Sequence, residues 1–365
     1  MNAIYIHIPF CKQKCAYCAF CSFAKSEDKI DEYIFHLTKE IENFNYDKVE
    51  GIDTIYIGGG TPSLLKTYQL KRIFDALYKK FKVKKDAEIT IECNPNSLTL
   101  AKAKFYNKLG INRVSLGVQS LDKNNLKLIE RLHSPSKALK AIDILKESGI
   151  ENISVDLLIG LKESFSSFAF HLHQLIEKGV KHFSLYMLQI EHGTKLEKLV
   201  KENCDLLLND DSCVEFYQKA VEFLKKNRIL QYEISNFALR GFESRHNIKY
   251  WTGSEYVGFG MSAHSYLDGK RYANSSNFKE YYQGKREFCE QLTLQEQIEE
   301  LIMLGLRCSY GTSKKDLQNL GYNIEENANF IELVKQKIIK EKGDRFYLNP
   351  AFYGVSNDII IKLLP

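Results

Sequence analysis

Residues 11–21 read CKQKCAYCAFC and place Cys11, Cys15, Cys18 and Cys21 in one short run. Thiolates crowded in this way bind metal. Structural zinc sites use two separated cysteine pairs, whereas iron–sulfur clusters use dense runs. The spacing C-x3-C-x2-C of Cys11, Cys15 and Cys18 suits three irons of a 4Fe-4S cube. The fourth iron is then open to nitrogen and oxygen donors of a substrate or cofactor. Cys21 is expected to stay outside the ligand set, because a fourth thiolate closes that iron. The competing readings are a zinc knuckle for the run and buried small residues for its single members. The remaining cysteines, Cys93, Cys204, Cys213, Cys289 and Cys308, are scattered and expected to be structural. Strand alternation turns Cys93 away from its neighbour Glu92.

The elements that position this run follow from hydrophobic periodicity. Short β-rich segments are predicted at 3–8, 53–57, 88–92, 113–118, 152–158 and 182–188. Amphipathic helices are predicted between and after them, at 28–44, 67–80, 99–108, 122–148, 164–178 and 209–227. Connections of this length imply parallel strands joined by right-handed crossovers. The expected fold class is α/β, a partial (β/α)6 TIM-like barrel, with an open doubly wound sheet as the alternative. In such barrels, sites gather at the carboxyl ends of the strands. There the sequence places the cysteine run, Gly58-Gly59-Gly60-Thr61-Pro62, Glu92, Gly117-Val118-Gln119 and Asp156. Five consecutive strands thus deliver polar or glycine features to one rim, which points to a shared site.

Beyond residue 230, QYEISNFA reads as one more strand, and 240–290 reads as loops with short elements. Thr293-Leu-Gln-Glu296 is a capping box that opens a helix. Further helices are expected near 313–319 and 327–340, then a hairpin or wing and a terminal helix. The expected division is 1–235 for the β/α barrel, 236–289 for a connecting region and 290–365 for a smaller, mostly helical C-terminal domain.

The chain has 365 residues, 44% of them apolar, and a net charge of +5 from 51 basic and 46 acidic side chains. That core is ample, and the charge is too balanced to imply a nucleic-acid partner. No apolar run approaches the roughly 20 residues that span a bilayer, and the first residues lack the basic and cleavage features of a signal peptide. An odd total of nine cysteines argues for a reducing compartment, so a cytoplasmic location is expected.

Several stretches together carry a family resemblance: YIHIPFCKQKCAYCAF, IGGGTPS, IECNP, RVSLGVQS, Arg131-Leu-His and SVDLLIGL. With them, essentially the whole chain resembles the radical S-adenosylmethionine (SAM) superfamily and, within it, the HemN/HemW family of oxygen-independent coproporphyrinogen III dehydrogenases and related heme chaperones. The resemblance implies that SAM chelates the open iron and that an electron from the cluster splits its sulfonium to release a 5′-deoxyadenosyl radical. It also implies that Tyr5, Tyr17, Gly59, Gly60, Thr61, Glu92, Gln119, Arg131 and Asp156 surround SAM. In the dehydrogenase branch, the residues matching Gln119, Arg131 and Asp156 contact a second SAM.

Two branches compete. The dehydrogenases carry a longer N-terminal arm and a C-x3-C-x2-C-x-C spacing, which Phe20 interrupts here. The chaperone branch carries H-N-x-x-Y-W, present as His246-Asn247-Ile248-Lys249-Tyr250-Trp251. A histidine can ligate heme iron, and aromatic rings can cover the macrocycle. His246, Tyr250 and Trp251 are therefore candidate heme residues, with core anchoring as the alternative. The chaperone reading is preferred, and the dehydrogenase is the runner-up. Whether the chain turns SAM over as an enzyme is left open. The resemblance further implies heme or porphyrin as ligand, apo-hemoprotein recipients at the membrane, and an electron donor such as flavodoxin or ferredoxin.

Overall fold

The computed structural model describes residues 1–365, the side chain of Cys204 excepted, so the expectation for that cysteine lies outside the described residues. Six strands form the parallel centre: β1 Ala3–Ile8, β2 Ile52–Gly59, β3 Val83–Cys93, β4 Arg113–Gln119, β5 Asn152–Ile159 and β6 His182–Met187. They lie side by side in chain order, each parallel to the last. Both faces of these strands are buried: Ile4, Ile6 and Ile8 on one face of β1 with Ala3 and His7 on the other, and Val114, Leu116 and Val118 on one face of β4 with Arg113 and Ser115 on the other. That pattern belongs to a parallel sheet covered on both faces. The covering helices include α1 Ile30–Asn43, α2 Thr67–Lys80 and α3 Leu100–Lys108. These elements match the β/α periodicity of the sequence.

Three differences bear on function. The predicted helix 122–148 is two helices, α4 Lys123–Leu128 and α5 Pro135–Glu147. Glu130 takes a positive φ of 57°, and Ser134 caps α5 with Pro135 in its first turn. Proline has no N–H to lose at that position, so the second helix starts cleanly there. The break turns Arg131 back toward β4.

QYEISNFA is a small hairpin, β7 Leu230–Gln231 and β8 Asn236–Ala238, with β8 antiparallel to β6. It follows α6 Phe165–Glu177, α7 Lys195–Glu202 and α8 Asp210–Lys226. The segment expected to be loops holds α9 Arg245–Trp251 and four strands: β9 Tyr256–Phe259, β10 His264–Leu267, β11 Lys270–Asn274 and β12 Arg286–Gln291. β9 pairs parallel to β1, and the other three continue as an antiparallel meander. The result is one twelve-stranded sheet with edges at β12 and β7.

Residues 298–363 build a second hydrophobic cluster around Ile302, Leu306, Phe346 and Leu363. Its first helix, Leu294–Gly305, is opened by the expected capping box: the hydroxyl of Thr293 accepts from the Glu296 N–H, and the Glu296 carboxylate accepts from the Thr293 N–H. A three-stranded sheet of Thr312–Ser313, Arg345–Leu348 and Ile339–Lys342 completes it. The predicted helix 327–340 ends at Lys335, and its last residues belong to the hairpin strand. Glu233 forms a bridge with Cys308, so this unit packs beside the hairpin of β7 and β8.

Candidate functional site

The cysteine run leaves β1 as a loop tied down at both ends and in the middle. Phe10–Cys11 pairs with Phe23–Ala24 in a two-residue ladder. Cys18 N–H donates to the Cys15 carbonyl, Ala16 N–H to Ile129, and Leu196 N–H to Ala16. Cys11, Cys15 and Cys18 all line one cavity of about 2030 Å3, and Cys21 packs instead against the main core. Burial raises the Cys11 and Cys18 thiols.

Among the described residues, no three His, Cys, Asp or Glu side chains converge on a single-ion site. A polynuclear cluster needs wider spacing around a shared void, and three thiols on one cavity wall fit that requirement.

The glycines beside them are pressed against the chain itself. A Cβ on Gly59, which has φ of +112°, would meet the His7 ring at 2.6 Å. One on Gly60 would meet the Phe10 carbonyl at 2.8 Å and Cys11 Sγ at 3.0 Å. One on Gly58 would strike Glu92 Oε1 at 2.8 Å. Glycine is needed here so that β2 can run against the cysteine loop and leave room for Glu92. Thr61 Oγ1 lies 3.4 Å from Cys11 Sγ.

Glu92 accepts from Tyr56 OH at 2.9 Å and from Gly59 N–H at 3.1 Å. Burial, and then the charge of Asp156, push its carboxyl up to about 7. Asp156 accepts from Ser115 Oγ at 3.1 Å and is raised chiefly by burial. Arg131 donates to Cys15 Sγ at 3.4 Å and to the Gly117 carbonyl. It therefore ties the cysteine loop to the end of β4. Gln119 closes that strand at a positive φ of 69°, a conformation uncommon outside glycine. Glu92, Gln119, Arg131 and Asp156 line the cavity, as do Tyr17, Gly59, Gly60 and Thr61.

Tyr5 does not line that cavity. Its hydroxyl meets His7 Nδ1 at 3.0 Å, and its ring stacks on Tyr56. His7 was missed in the sequence. Its Nε2 lies 3.0 Å from the Cys21 carbonyl, so it fixes the far end of the loop. The available signal was alternation, which puts Tyr5 and His7 on one face of β1. Ser115, two residues before Gly117 on the same face of β4, was missed for the same reason.

The three candidate heme residues separate. His246 is fully buried, with Nδ1 2.9 Å from Thr54 Oγ1 and Nε2 2.8 Å from Tyr250 OH. Burial lowers it to about 3. Both ring nitrogens are engaged, so as placed His246 offers no lone pair to a heme iron. The ring anchors α9 onto β2 and stacks on Tyr56. The Tyr250 hydroxyl is held by His246, and its ring packs against Tyr256. Only Trp251 lines the cavity. Tyr186 and Met187, at the end of β6, lie on the same cavity and are partly exposed.

Comparison with known proteins adds four findings. The family model of the radical SAM superfamily matches residues 5–175. A heme chaperone HemW of Lactococcus lactis subsp. lactis (strain IL1403) is 33% identical over 371 residues, covering 100% of this chain and 97% of that protein. A heme chaperone HemW of Bacillus subtilis (strain 168) is 35% identical over 324 residues, covering 86% of each. The solved structure of the coproporphyrinogen III oxidase HemN of Escherichia coli, a radical SAM enzyme, superposes with a TM-score of 0.84 at 21% identity, covering 100% of this chain and 90% of that one. That likeness establishes the α/β fold.

Proposed function

The chain belongs to the radical SAM superfamily and, within it, to the family of the heme chaperone HemW, and from that premise we propose that it binds heme and delivers it to apo-proteins. The observation that carries this reading is similarity over the whole chain: a curated heme chaperone aligns with 100% of it. Membership brings a 4Fe-4S cluster and SAM as cofactors. When bound, they supply a reducing equivalent and a cleavable sulfonium beside the ligand.

The residues present suit that cargo. We propose Cys11, Cys15 and Cys18 as the cluster ligands, supported by their shared place on the cavity wall. Thr61 Oγ1 and Arg131 lie against two of the three sulfurs, with Arg131 donating to Cys15 Sγ. Glu92 and Asp156 face the cavity beside Tyr17 and Gln119 and form its polar, SAM-binding wall. Because its carboxyl is pushed up to about 7, Glu92 holds or gives up a proton near neutrality. Tyr5 supports that wall from behind, through Tyr56.

Trp251 is the proposed aromatic cover for heme, and Tyr186 and Met187, at the end of β6, are two side chains of ligating type on the same cavity. The three-part division 1–235, 236–289 and 290–365 is proposed as the functional organisation, supported by the separate core of the last part. No helix among the described residues is long and apolar enough to cross a membrane. A cytoplasmic site of action, apo-hemoprotein recipients at the membrane and a flavodoxin or ferredoxin donor complete the proposal.

The test is transfer. Reconstituted, heme-loaded protein is mixed anaerobically with an apo-hemoprotein, and the Soret band is followed. Movement of heme to the acceptor faster than from albumin-bound heme supports the reading. Failure to bind heme overturns it.

A further inference from the structure

One wall of the cavity carries polar groups that the cysteine end does not use. Glu233 lies in the turn between β7 and β8 and is 1% exposed. Its Oε1 has no hydrogen-bond partner among the described residues. Tyr353, in the 3-10 turn Pro350–Val355 of the C-terminal unit, is 6% exposed, and its hydroxyl is likewise without a partner. Both residues line the same cavity as the cysteines, together with Tyr186 and Tyr217. A buried polar atom left unpaired costs free energy, so two of them on one cavity wall point to a group that binds there.

The surroundings narrow its chemistry. The charge of Glu233 bears on Tyr186 from β6, Tyr217 from α8, Tyr232 from its own hairpin, and Cys308 and Tyr353 from the C-terminal unit. The backbone of Ile234, Ser235 and Asn236 and the side chain of Asn236 also face it. The leading influences on Glu233 are burial and these amides, and Arg307, whose carbonyl accepts from Ile234 N–H, lines the same cavity. Burial pushes its carboxyl up to about 7, against those amides. One open acceptor and one open phenol are both satisfied by a group that donates and accepts at once. A carboxylic acid is such a group, and the propionate arms are the polar groups of heme.

We propose that Glu233 and Tyr353 form the seat of a carboxylic-acid arm of the cavity's ligand. The arm and Glu233 share one proton, and Tyr353 OH donates to the arm's other oxygen. The inference rests on the reading of heme as that ligand. Two carboxyls in contact cannot both ionise, so the pair must hold one proton. Below about pH 7, Glu233 brings that proton. Above it, binding takes a proton from solvent, and affinity falls by up to about tenfold per pH unit.

The experiment titrates the full chain with heme and with heme dimethyl ester, at about pH 6 and about pH 8.5. Wild type is compared with Glu233→Gln and Tyr353→Phe, and circular dichroism checks that each variant is folded. Expected for wild type is a loss of heme affinity of about tenfold or more between the two pH values. Glu233→Gln makes heme binding insensitive to pH. Tyr353→Phe weakens heme about fivefold or more, as loss of one buried hydrogen bond should. Binding of the ester changes with neither variant. Equal effects on heme and ester, or a pH response retained in Glu233→Gln, overturn the seat while leaving heme binding intact. No heme binding by folded wild type overturns both the seat and the chaperone reading.

Discussion

The cysteine end of the cavity and helix α9 were both marked by motifs, and they use their residues in opposite ways. At the cysteine end, Cys11, Cys15, Cys18, Glu92, Arg131 and Asp156 keep atoms facing the void. In α9, His246 and Tyr250 are closed on each other and on Thr54, and only Trp251 reaches the cavity. A motif can therefore mark a site by presenting side chains to a ligand or by anchoring the element that presents one. His246 is of the second kind. Its helix is held further by Glu88, whose carboxylate accepts the backbone N–H groups of Arg245 and His246 at 3.0 Å.

Substitutions can break this contrast, and the largest effect is expected at the thiols. Cys15→Ala abolishes the iron–sulfur absorbance and SAM cleavage after anaerobic reconstitution. Retention of four irons per chain removes Cys15 from the ligand set. Gly60→Ala comes next, because its methyl meets the Phe10 carbonyl and Cys11 Sγ. Lower iron content in a folded protein is expected; full loading shows that the loop moves freely.

His246→Ala acts on stability rather than on the ligand. It strands Thr54 and Tyr250 in the core and should cost about 3 kcal/mol in denaturant unfolding. Heme affinity measured on the folded variant changes little, whereas Trp251→Ala weakens it. The reverse order returns His246 to the ligand role. An effect of comparable size follows from Glu92. Its native carboxyl titrates near 7 against an ordinary 4.5, so the folded chain keeps a proton that the unfolded chain has lost. Stability of the cluster-free protein therefore falls as pH rises from about 4.5 to about 7, by roughly 1.4 kcal/mol per unit for such a group. Glu92→Gln removes that share, and an unchanged pH profile of thermal unfolding contradicts the assignment. The smallest effect is at Cys21, where Ser keeps the size and the packing; the cluster should persist unchanged.

The sequence exposed the parts of this molecule that repeat or crowd. β1–β6 were legible because buried Ile and Val runs alternate with helical periods, and the cysteine run because four thiols within eleven residues have few other uses. The break before Arg131 was hidden because apolar spacing continues across it from α4 to α5. β9–β12 were hidden because their Tyr, Gly, Ser and Asn content carries little β-branched signal, and three of them are held chiefly by antiparallel pairing. His246 looked available because a sequence does not say which partners a ring nitrogen will find. Glu233 gave no signal at all: its isolation is made by Tyr217, Cys308 and Tyr353, which are distant in the chain.

One assay separates the chaperone reading from its enzymatic relative. Reconstituted protein is incubated anaerobically with SAM, reductant and coproporphyrinogen III, and the same preparation is titrated with heme. The account predicts heme binding at one site per chain, with no accumulation of protoporphyrinogen. Robust conversion of coproporphyrinogen to protoporphyrinogen would contradict it.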